Sequence, residues 1–366
     1  MGDRLAEYRR KRDADRTPEP VPAATTAKAG RGRDAEARTF VIQQHHARAL
    51  HWDLRLERDG VLVSWAVPRG IPRDPERNHL AVQTEDHPME YATFSGEIPA
   101  GEYGGGTMTI YDTGTYTTEK WRDREVMIVL SGARVSGRYV LFRTDGKNWM
   151  IHRMDPPPDG WTPMPERVDP MLPVDGKRLP PDDGAWAYEL AWDGIRTVAY
   201  VSGGRLRLLD ASGADVTAGH PELRAMAERL APTECVLDGE LVAFDRAGRI
   251  SRAALDERAK RMAGSRADSA TIRRLAARTP VQFLAYDLLW LDGEPAVDLP
   301  YRDRRDLLDG LGLTGPNWQT PPYFGPGGGA AARATSAEQG LAGVVAKRLV
   351  APYAPGERAN AWRRVR

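Results

Sequence analysis

The stretch DPPPDGWTPMPERVDPMLPVDGKRLPPDDG, residues 155–184, is the feature that most restricts how this chain can fold. Proline fixes φ and lacks a backbone N–H, so a segment this rich in proline cannot continue a helix or a central strand. The stretch therefore predicts a linker over residues 156–184 between two separately folded parts. A chain of 366 residues is long enough for two such parts, each with its own core.

The residues on the two sides of this linker differ in pattern. Residues 39–155 contain short apolar and polar alternations separated by turn signals, such as VLVSWAVP and GRYVLFRT, which are typical of a β-barrel or sandwich. Residues 185–366 mix strand patterns such as WAYEL with helical runs such as PELRAMAERLA, which indicates an α+β domain. Residues 1–38 are highly charged and lack apolar periodicity, so we expect a mobile arm there.

Composition excludes several classes of protein. The 52 lysines and arginines almost cancel the 51 aspartates and glutamates, so any nucleic-acid site must be a local patch. The single cysteine cannot form an internal disulfide, and the first residues are charged where a signal peptide would be apolar. No run approaches the roughly 20 apolar residues of a membrane span. We therefore expect a cytoplasmic protein without a membrane partner.

Three of the seven histidines fall in QQHHARALHWDLRLE, residues 43–57. If HWDLRLE is a strand, His51, Asp53 and Arg55 share one face, and the apolar residues between them share the other. His45 lies upstream and could fold back to supply a third ligand. Two imidazoles and a carboxylate suit a divalent metal such as manganese or zinc, and the arginine suggests an anionic substrate because its planar fork matches phosphate. The alternative is that these histidines are ordinary surface groups on a strand.

A second histidine-containing stretch points to the same region. In HLAVQTEDHPMEYATF, an extended chain places His79 and His87 on one face, and Tyr91 follows shortly after. Six of the seven histidines precede the predicted linker. This distribution favours one shared site over scattered surface positions.

These segments also resemble a known family. FVIQQHHARALHWDLRLE, VSWAVPRGI, LAVQTEDHPMEYATFSGEIPAGEYGGG and NWMIHRMD resemble the 3'-phosphoesterase domain of bacterial DNA ligase D over most of residues 39–155. The resemblance implies a β-barrel enzyme that uses Mn2+, or another divalent metal, to remove phosphate and trim ribonucleotides at DNA 3' ends. It also implies that DNA 3' ends are the substrate and that other end-joining proteins are partners.

The resemblance assigns roles in the histidine-rich hairpin. His45, His51 and Asp53 match the positions that hold the metal in the family. Gln43 and Arg55 match positions that contact phosphate. The resemblance therefore implies that one stretch of sequence supplies both the metal ligands and the groups that bind the anion.

Further roles are implied outside that hairpin. His87 and Tyr91 would orient or protonate the reacting group. In the N-terminal arm, Arg12, Asp13 and Glu19 match positions that the family uses for activity, and the alternative is a solvated tail. One departure concerns phosphate binding, because this chain has a histidine at position 79 where the family usually has arginine. Arg77, two residues earlier, has the same strand parity and could substitute.

The sequence after the linker resembles a second family. WAYELAWDGI, VLDGELVAFD, FLAYDLLWLDG, GLAGVVAKRL and AWRRVR occur in the order found in the adenylation domain of ATP-dependent DNA ligases of the ligase D type. That family uses a lysine amine to attack the α-phosphate of ATP. The lysine position is Ala191 in this chain, whose methyl group is no nucleophile.

At other adenylation positions, this chain replaces some of the family residues and retains others. Ala211 and Ala342 replace a family arginine and a metal-binding glutamate, and arginines at 364 and 366 replace paired lysines. The retained positions, which would form a residual cofactor pocket, are Asp193, Arg196, Glu240, Tyr286 and Lys347. The resemblance therefore implies a nucleotidyltransferase fold for which ATP binding is doubtful. The sequence also ends where an oligonucleotide-binding (OB-fold) domain would follow, so none is expected.

We therefore expect a manganese-dependent DNA 3'-end phosphoesterase joined to a ligase-like domain that does not ligate. Two alternatives come from other functional classes. One is a non-catalytic module that binds DNA ends or a repair partner, which the histidine at position 79 favours. The other is an active ATP-dependent DNA ligase, which would form a covalent protein–AMP adduct.

Overall fold

The structure is a computed structural model that describes residues 3–23, 37–157, 159–245, 247–264 and 268–366. The chain forms two compact units, Met1–Asp159 and Gly160–Arg366. Among the residues described, helices long and apolar enough to cross a membrane are absent.

The first unit is a closed antiparallel β-barrel with a short helix before it. Its elements are α1 (Ala6–Arg10), β1 (Arg38–His46), β2 (Leu50–Arg58), β3 (Val61–Val67), β4 (His79–Gln83), β5 (Gly96–Ile98), β6 (Gly106–Arg122), β7 (Glu125–Gly132), β8 (Ser136–Asp145) and β9 (Asn148–Arg153). The strands run around the barrel in the order β1, β2, β3, β4, β9, β8, β7 and β6, and β6 pairs with β1 to close it. The predicted β-barrel is confirmed, and closure removes the free edges that an open sheet would expose.

Aromatic residues identify the interior of this barrel. Leu54 and Trp65 are paired across β2 and β3, so their side chains point the same way. The Trp65 ring centroid lies 6.4 Å from that of Trp121 on β6 and 5.7 Å from that of Trp149 on β9, both on distant strands. These residues therefore fill the interior. Because side chains alternate along a strand, Asp53, next to Leu54, lies on the outer face of the barrel.

The segment before the barrel is folded in its described part, residues 3–23. Tyr8 is fully buried, packs with Leu62 of β3, and donates a hydrogen bond from its hydroxyl to the carbonyl of Pro20 at 2.8 Å. This differs from the mobile arm that the charge of the segment predicted. The difference arises because one buried aromatic residue and several ion pairs hold residues that lack any periodic apolar pattern. Residues 24–36 of the predicted arm lie outside the described residues.

The second unit is an α+β domain with two sheets, which confirms the predicted class. Its elements are β10 (Leu172–Gly176), β11 (Trp186–Leu190), β12 (Ile195–Ser202), β13 (Arg205–Asp210), α2 (Arg224–Leu230), β14 (Cys235–Ala243), α3 (Arg252–Gly264), α4 (Ser269–Arg278), β15 (Val281–Leu291), β16 (Glu294–Pro295), α5 (Tyr301–Gly310), β17 (Trp318–Gln319), α6 (Gly329–Glu338), β18 (Val344–Arg348) and β19 (Arg358–Val365). One sheet has the order β13, β12, β14, β15, β16, with β17 beside β15, and the other has the order β10, β19, β18, β11.

Much of the stretch that predicted a linker belongs to this second unit. Leu172–Gly176 form β10, which pairs in parallel with β19 at the edge of its sheet. The backbone N–H groups on the outer side of an edge strand have no hydrogen-bond partner in the sheet, so an edge strand tolerates proline. Pro173 lies in β10. Trp161 packs on Gly293, where φ is +106° and a Cβ would lie 2.0 Å from the indole ring. The proline-rich stretch therefore contains an edge strand and a packed aromatic residue that its composition did not predict.

Candidate functional site

The β1–β2 hairpin brings the predicted metal ligands together on the outer face of the barrel. Antiparallel pairing places His45 directly opposite His51, and Gln43 directly opposite Asp53. Paired residues point to the same side of a sheet, so all four side chains share one face. The short connection between the strands is what lets His45 and His51, six positions apart in the sequence, become neighbours.

Hydrogen bonds to backbone carbonyls fix the tautomers of the two imidazoles. A carbonyl oxygen only accepts, so His45 Nε2 donates to Gly104 at 2.8 Å and His51 Nδ1 donates to Ala49 at 3.0 Å. The remaining nitrogens, His45 Nδ1 and His51 Nε2, lie 3.2 Å apart and carry lone pairs. They lie 3.9 Å and 3.8 Å from the carboxylate oxygens of Asp53. Burial lowers the pKa of His45, which keeps its ring neutral.

This donor set fits a divalent cation. The ligand atoms of His45, His51 and Asp53 all lie within 4.8 Å of one another. Lone pairs that face each other without a proton between them repel, and a cation among them removes that repulsion. Histidines that ligate metals commonly donate their other ring N–H to a carbonyl, as both of these do. Nitrogen and oxygen donors together are compatible with manganese and with zinc.

Arg55 orients the carboxylate of this group. Its Nη2 donates to Asp53 Oδ2 at 3.0 Å, its Nε donates to Gln43 Oε1 at 2.6 Å, and its Nη1 donates to Ser64 Oγ at 3.0 Å. The guanidinium lies 4.6 Å from the centroid of the Tyr91 ring, and the residue is only 2% exposed. The fork geometry of arginine therefore fixes Asp53 and Gln43 relative to one another.

Gln43 and Tyr91 connect the hairpin with the residues that cover it. The amide nitrogen of Gln43 donates to the backbone carbonyls of Tyr91 at 3.1 Å and Phe94 at 2.9 Å, at the 3₁₀ turn Met89–Thr93. The Tyr91 hydroxyl in turn donates to Glu19 at 2.8 Å. Burial raises the pKa of Tyr91, so this hydroxyl stays protonated.

Two of the three predicted arm residues reach the site. Glu19 accepts hydrogen bonds from Arg12 Nε at 2.8 Å, from the Thr17 hydroxyl at 2.8 Å and from Tyr91. Arg12 Nη1 also donates to Glu85 at 3.0 Å, and its guanidinium carbon lies 3.9 Å from the centroid of the Tyr8 ring. The side chains of Arg12 and Glu19 are 5% and 1% exposed, so both charges are removed from water and paired.

His87 lies between these groups as a neutral imidazole. Its Nδ1 donates to the carbonyl of Glu85 at 2.8 Å, which leaves a lone pair on Nε2 that faces Arg12 Nη2 at 3.4 Å. Burial, together with the positive charges of Arg55 and Arg12, holds the pKa of His87 well below its usual range. His87 is therefore a hydrogen-bond acceptor at Nε2 near neutral pH.

Glu85 is the functional-site residue that the sequence analysis missed. Its side chain is 2% exposed and pairs with Lys11 Nζ and Arg12 Nη1, both at 3.0 Å. It thereby attaches α1 and the residues after it to the strand side of the site. The available signal was its position two residues before His87, which gives both residues the same parity in an extended chain.

Asp13 and His79 are not part of this cluster. Asp13 is exposed and belongs to a local turn, in which its carbonyl accepts from the backbone N–H of Arg16 at 2.9 Å. His79 lies on β4, two strands away from β2, and its Nδ1 donates to the carbonyl of Gly70 at 2.7 Å. Arg77, considered as its substitute, pairs with Asp74 at 3.4 Å. The predicted role of Asp13 stays a prediction.

In the second unit, the position of the adenylation lysine lies at the end of β11. The backbone N–H of Ala191 donates to the carbonyl of Gly343 at 2.9 Å, just before β18. Asp193 follows in an exposed turn with φ +56°, a left-handed conformation that is uncommon for residues other than glycine. The position of the adenylation lysine is therefore followed two residues later by an exposed aspartate.

Two retained residues of the predicted cofactor pocket, Arg196 and Lys347, form ion pairs with the protein itself. Arg196 donates to both oxygens of Asp238, at 2.6 Å and 2.5 Å, and the Tyr353 hydroxyl donates to the same carboxylate at 2.7 Å. Glu240 lies opposite Arg196 in the β12–β14 register. Burial raises the pKa of Glu240, whereas Arg196 acts in the opposite direction.

Lys347 is the cation at the centre of this pocket. Its Nζ lies 2.9 Å from Glu189 and 3.8 Å from Asp287, and it donates to the carbonyl of Tyr286 at 3.2 Å. The Tyr286 ring contacts both cations, since its centroid lies 4.5 Å from Lys347 Nζ and 5.0 Å from the Arg196 guanidinium. Burial lowers the pKa of Lys347, and the two carboxylates act in the opposite direction.

Comparisons with known proteins match both halves of the chain. A family model described as the DNA Ligase D 3'-phosphoesterase domain matches residues 43–143, and one described as the ATP dependent DNA ligase domain matches residues 177–322. The matched ranges fall one in each compact unit. The first contains the candidate metal centre, and the second contains Asp193, Arg196, Glu240 and Tyr286 of the adenylation-like pocket but not Lys347.

Whole-chain relatives are non-homologous end joining proteins. The chain is 46% identical over 366 residues to the multifunctional non-homologous end joining protein LigD of Mycobacterium bovis, with 99% of this chain and 45% of the relative covered. It is 33% identical to the protein of the same name from Pseudomonas aeruginosa, with 98% and 46% covered. The chain therefore spans less than half the length of these curated relatives.

Among solved structures, the ligase domain of Mycobacterium tuberculosis LigD is 37% identical, with 54% of this chain and 60% of that chain covered and a TM-score of 0.44. The two family models and the relatives matched over nearly the whole chain are consistent with one another. The chain is thus a LigD-like member of the DNA ligase D family, with a 3'-phosphoesterase domain followed by an ATP-dependent ligase adenylation domain.

Proposed function

We propose that the first unit is a manganese-dependent phosphoesterase that removes phosphate and trims ribonucleotides at DNA 3' ends, and that the second unit does not form a protein–AMP adduct. Broken or primer-template DNA 3' ends are the substrate of this reaction. The protein acts in the cytoplasm together with other end-joining proteins. The relatives that support this proposal are non-homologous end joining proteins.

The observation that supports the catalytic proposal most strongly is the convergence of two imidazole nitrogens and one carboxylate in the hairpin. His45 Nδ1 and His51 Nε2 lie 3.2 Å apart beside the Asp53 carboxylate, and both rings use their N–H elsewhere. A divalent cation would satisfy all three donors at once.

The residues around these ligands provide for binding a phosphate ester. When bound there, manganese would supply positive charge that offsets the negative charge on the phosphoryl oxygens. Arg55 has five N–H groups, of which three are directed to Gln43, Ser64 and Asp53. The two that remain, one on each Nη, can donate to phosphate oxygens. Arg55 therefore positions both a ligand and the substrate.

The side chains of His87 and Tyr91 are both uncharged, and they differ in which one accepts and which one donates a hydrogen bond. The neutral His87 carries a lone pair at Nε2, so it can accept a proton or hold a water molecule there. The Tyr91 hydroxyl stays protonated and donates to Glu19. This arrangement favours His87 as an acceptor or positioning group over His87 as a proton donor near neutral pH.

The test of the catalytic proposal is a 3'-end assay with manganese. Primer-templates that end in a 3'-phosphate or in a single ribonucleotide are incubated with the purified chain, and phosphate or nucleoside release is measured. We expect release by the wild type and none above background by Asp53→Ala. No release by the wild type at enzyme concentrations well above the substrate would reject the proposal. Tight end binding without release, unchanged by His51→Ala, would instead identify a non-catalytic end-binding module.

The proposal for the second unit depends on two positions. Ala191 supplies no amine, and the side chain of Lys347 is 1% exposed, with its amine paired with Glu189 at 2.9 Å. An in-line attack on ATP would require Lys347 to leave that ion pair and reach the phosphate. Incubation with labelled ATP and magnesium should therefore give no covalent adduct. An adduct that survives denaturation and maps to either unit would overturn this part of the proposal.

A further inference from the structure

Tyr103 is an aromatic residue exposed at the surface of the first unit, close to the candidate metal centre. It lies in GEYGGG, in the turn between β5 and β6, and 47% of its surface is exposed. Leu80 and Ile110 of the same unit are exposed to a similar extent, at 40% and 41%, but they are aliphatic. Aromatic rings with an exposed face and a polar edge are common at binding surfaces.

The turn fixes Tyr103 relative to the metal ligands. The carbonyl of its neighbour Gly104 accepts the hydrogen bond from His45 Nε2 at 2.8 Å. At Gly106, φ is +145° and a Cβ would lie 2.2 Å from the carbonyl oxygen of His46, so only glycine allows the turn to approach the end of β1 this closely. Tyr103 is therefore one residue away from the peptide group that orients a ligand.

Two cations from the N-terminal segment lie beside the ring of Tyr103. Lys11 Nζ donates to the Tyr103 hydroxyl at 3.2 Å and lies 4.6 Å from the ring centroid. The guanidinium carbon of Arg12 lies 5.3 Å from the same centroid. These contacts restrict the ring orientation and place positive charge next to a half-exposed aromatic surface.

We propose that the exposed face of Tyr103 stacks on the base of the terminal nucleotide at a DNA 3' end and so positions that end at the candidate metal centre. Every base has a π face, so a stacking surface accepts ends of any sequence. This inference rests on the proposed function, since it requires a DNA 3' end as substrate.

The kinetic test compares three variants on a primer-template with a 3'-phosphate. Tyr103→Ala removes the ring and should raise KM about tenfold while kcat stays within about twofold, because loss of a stacked base weakens binding. Tyr103→Phe removes only the hydroxyl bonded to Lys11 and should resemble the wild type. Leu80→Ala, at an exposed position on β4, controls for the loss of exposed apolar surface and should change neither constant. Equal defects in the alanine and phenylalanine variants would show that Tyr103 acts through Lys11 and would overturn the proposal.

Two further readouts separate stacking from other effects. With an abasic terminal nucleotide, the wild type and Tyr103→Ala should have the same KM, since no base is left to stack. In a metal-free titration, a primer that ends in 2-aminopurine with a 3' hydroxyl should lose fluorescence on binding the wild type and not on binding Tyr103→Ala. Equal quenching by both proteins would reject the stacking role. If the wild type releases no phosphate at all, the proposed function fails instead, and the fluorescence result still reports on Tyr103.

Discussion

The outer face of the β1–β2 hairpin and the adenylation-like pocket both collect charged groups away from water, but they balance them differently. In the hairpin, two imidazole lone pairs and a carboxylate face one another, and Arg55 pairs with only one oxygen of Asp53. In the second unit, Arg196 pairs with Asp238, and Lys347 with Glu189. The first group has more acceptors than donors, whereas the second consists of matched ion pairs.

This difference indicates which of the two groups requires a bound ligand. Buried acceptors that face one another without a donor cost free energy unless a cation or a proton lies between them. Buried ion pairs with additional hydrogen bonds are satisfied by the protein alone, although they add little net stability. We therefore regard the hairpin as a binding site and the second network as part of the fold. Both statements can be tested by removing single charges.

The largest expected effect follows from removing Asp53. Asp53→Ala takes away the carboxylate of the donor set, and loss of the charge stabilisation that a bound metal gives, worth several kcal/mol, should lower 3'-end activity about 1000-fold or more. Manganese affinity should fall in parallel, which paramagnetic resonance of free manganese measures without any turnover. Unchanged manganese affinity would contradict the assignment of Asp53 as a ligand.

Asp53→Asn separates metal binding from folding. The amide oxygen can still accept the hydrogen bond from Arg55 Nη2, so the hairpin should keep its structure. The negative charge is lost, so manganese affinity should still fall. A variant that binds manganese as the wild type does would indicate that the carboxylate serves only to orient Arg55.

The second prediction concerns the matched ion pairs of the other unit. Lys347→Met leaves Glu189 and Asp287 without their shared cation in a site that is 1% exposed at Lys347. Breaking such a pair from one side typically costs about 3 kcal/mol or more of unfolding free energy. Hydrogen exchange of the β18 amides should accelerate accordingly, and 3'-end activity should stay unchanged.

A double substitution provides the control for this prediction. Lys347→Met combined with Glu189→Gln removes the cation and one of its carboxylates together, so the loss should be smaller than the sum of the two single losses. Additive losses would mean that the two residues do not interact. Such a result would also weaken the contrast between an open donor set and a satisfied network.

The hairpin was predictable from sequence because its evidence is local. The spacing of His51, Asp53 and Arg55 places them on one face of a strand, and a nearby turn is enough to bring His45 opposite. Alternation along the strands also predicted a β-barrel or sandwich, and the resemblance implied the barrel. These features depend on residues close to one another in the chain, where strand periodicity determines direction.

Contacts between distant segments were not predictable in the same way. The packing of Tyr8 on Leu62 and the ion pair between Arg12 and Glu85 join residues far apart in the chain, the second pair by 73 positions, with no periodic pattern to signal them. In the proline-rich stretch, β10 forms by pairing with β19 at the edge of the sheet, where the missing backbone N–H of Pro173 is tolerated. The resemblance pointed to Arg12 and Glu19, yet composition alone indicated a solvated arm.

The third prediction tests whether the arm belongs with the hairpin. Arg12→Ala leaves the carboxylates of Glu19 and Glu85 without their shared partner and should lower kcat/KM about 10- to 100-fold through loss of positioning. Manganese affinity should change little, because the candidate metal ligands lie in the hairpin. Limited proteolysis should show earlier cleavage within residues 3–23.

Arg16→Ala is the matched control within the same segment. Arg16 also pairs with a glutamate, Glu102, at 2.6 Å, but its side chain is 66% exposed. An exposed pair contributes little, so activity and proteolysis should stay at wild-type levels. Equal losses in the Arg12 and Arg16 variants would indicate a general charge effect on DNA binding instead of a specific buried contact.

The smallest expected effect is a change in the pH dependence of stability at His87. Burial and the charges of Arg55 and Arg12 hold its pKa well below the value of about 6.5 expected in the unfolded chain. Between those two values the unfolded chain binds more protons, so the contribution of neutral His87 is present above about pH 6.5 and is lost as pH falls. His87→Gln removes this titration.

The test is a series of urea unfolding curves between pH 7.5 and about pH 4.5 for the wild type and His87→Gln. The wild-type free energy of unfolding should fall more steeply with acidification than that of the variant. Only the wild type has a buried imidazole that binds a proton more readily in the unfolded chain than in the folded chain. His46→Gln, at an exposed position on β1, controls for histidine substitution and should follow the wild type. Parallel curves for all three proteins would mean that His87 is not held neutral by its surroundings, and the acceptor role given to its Nε2 would lose its basis. A steeper wild-type curve would instead extend the contrast between the two regions. The fold of the first unit would then maintain the neutral state of a titratable group near the candidate metal centre.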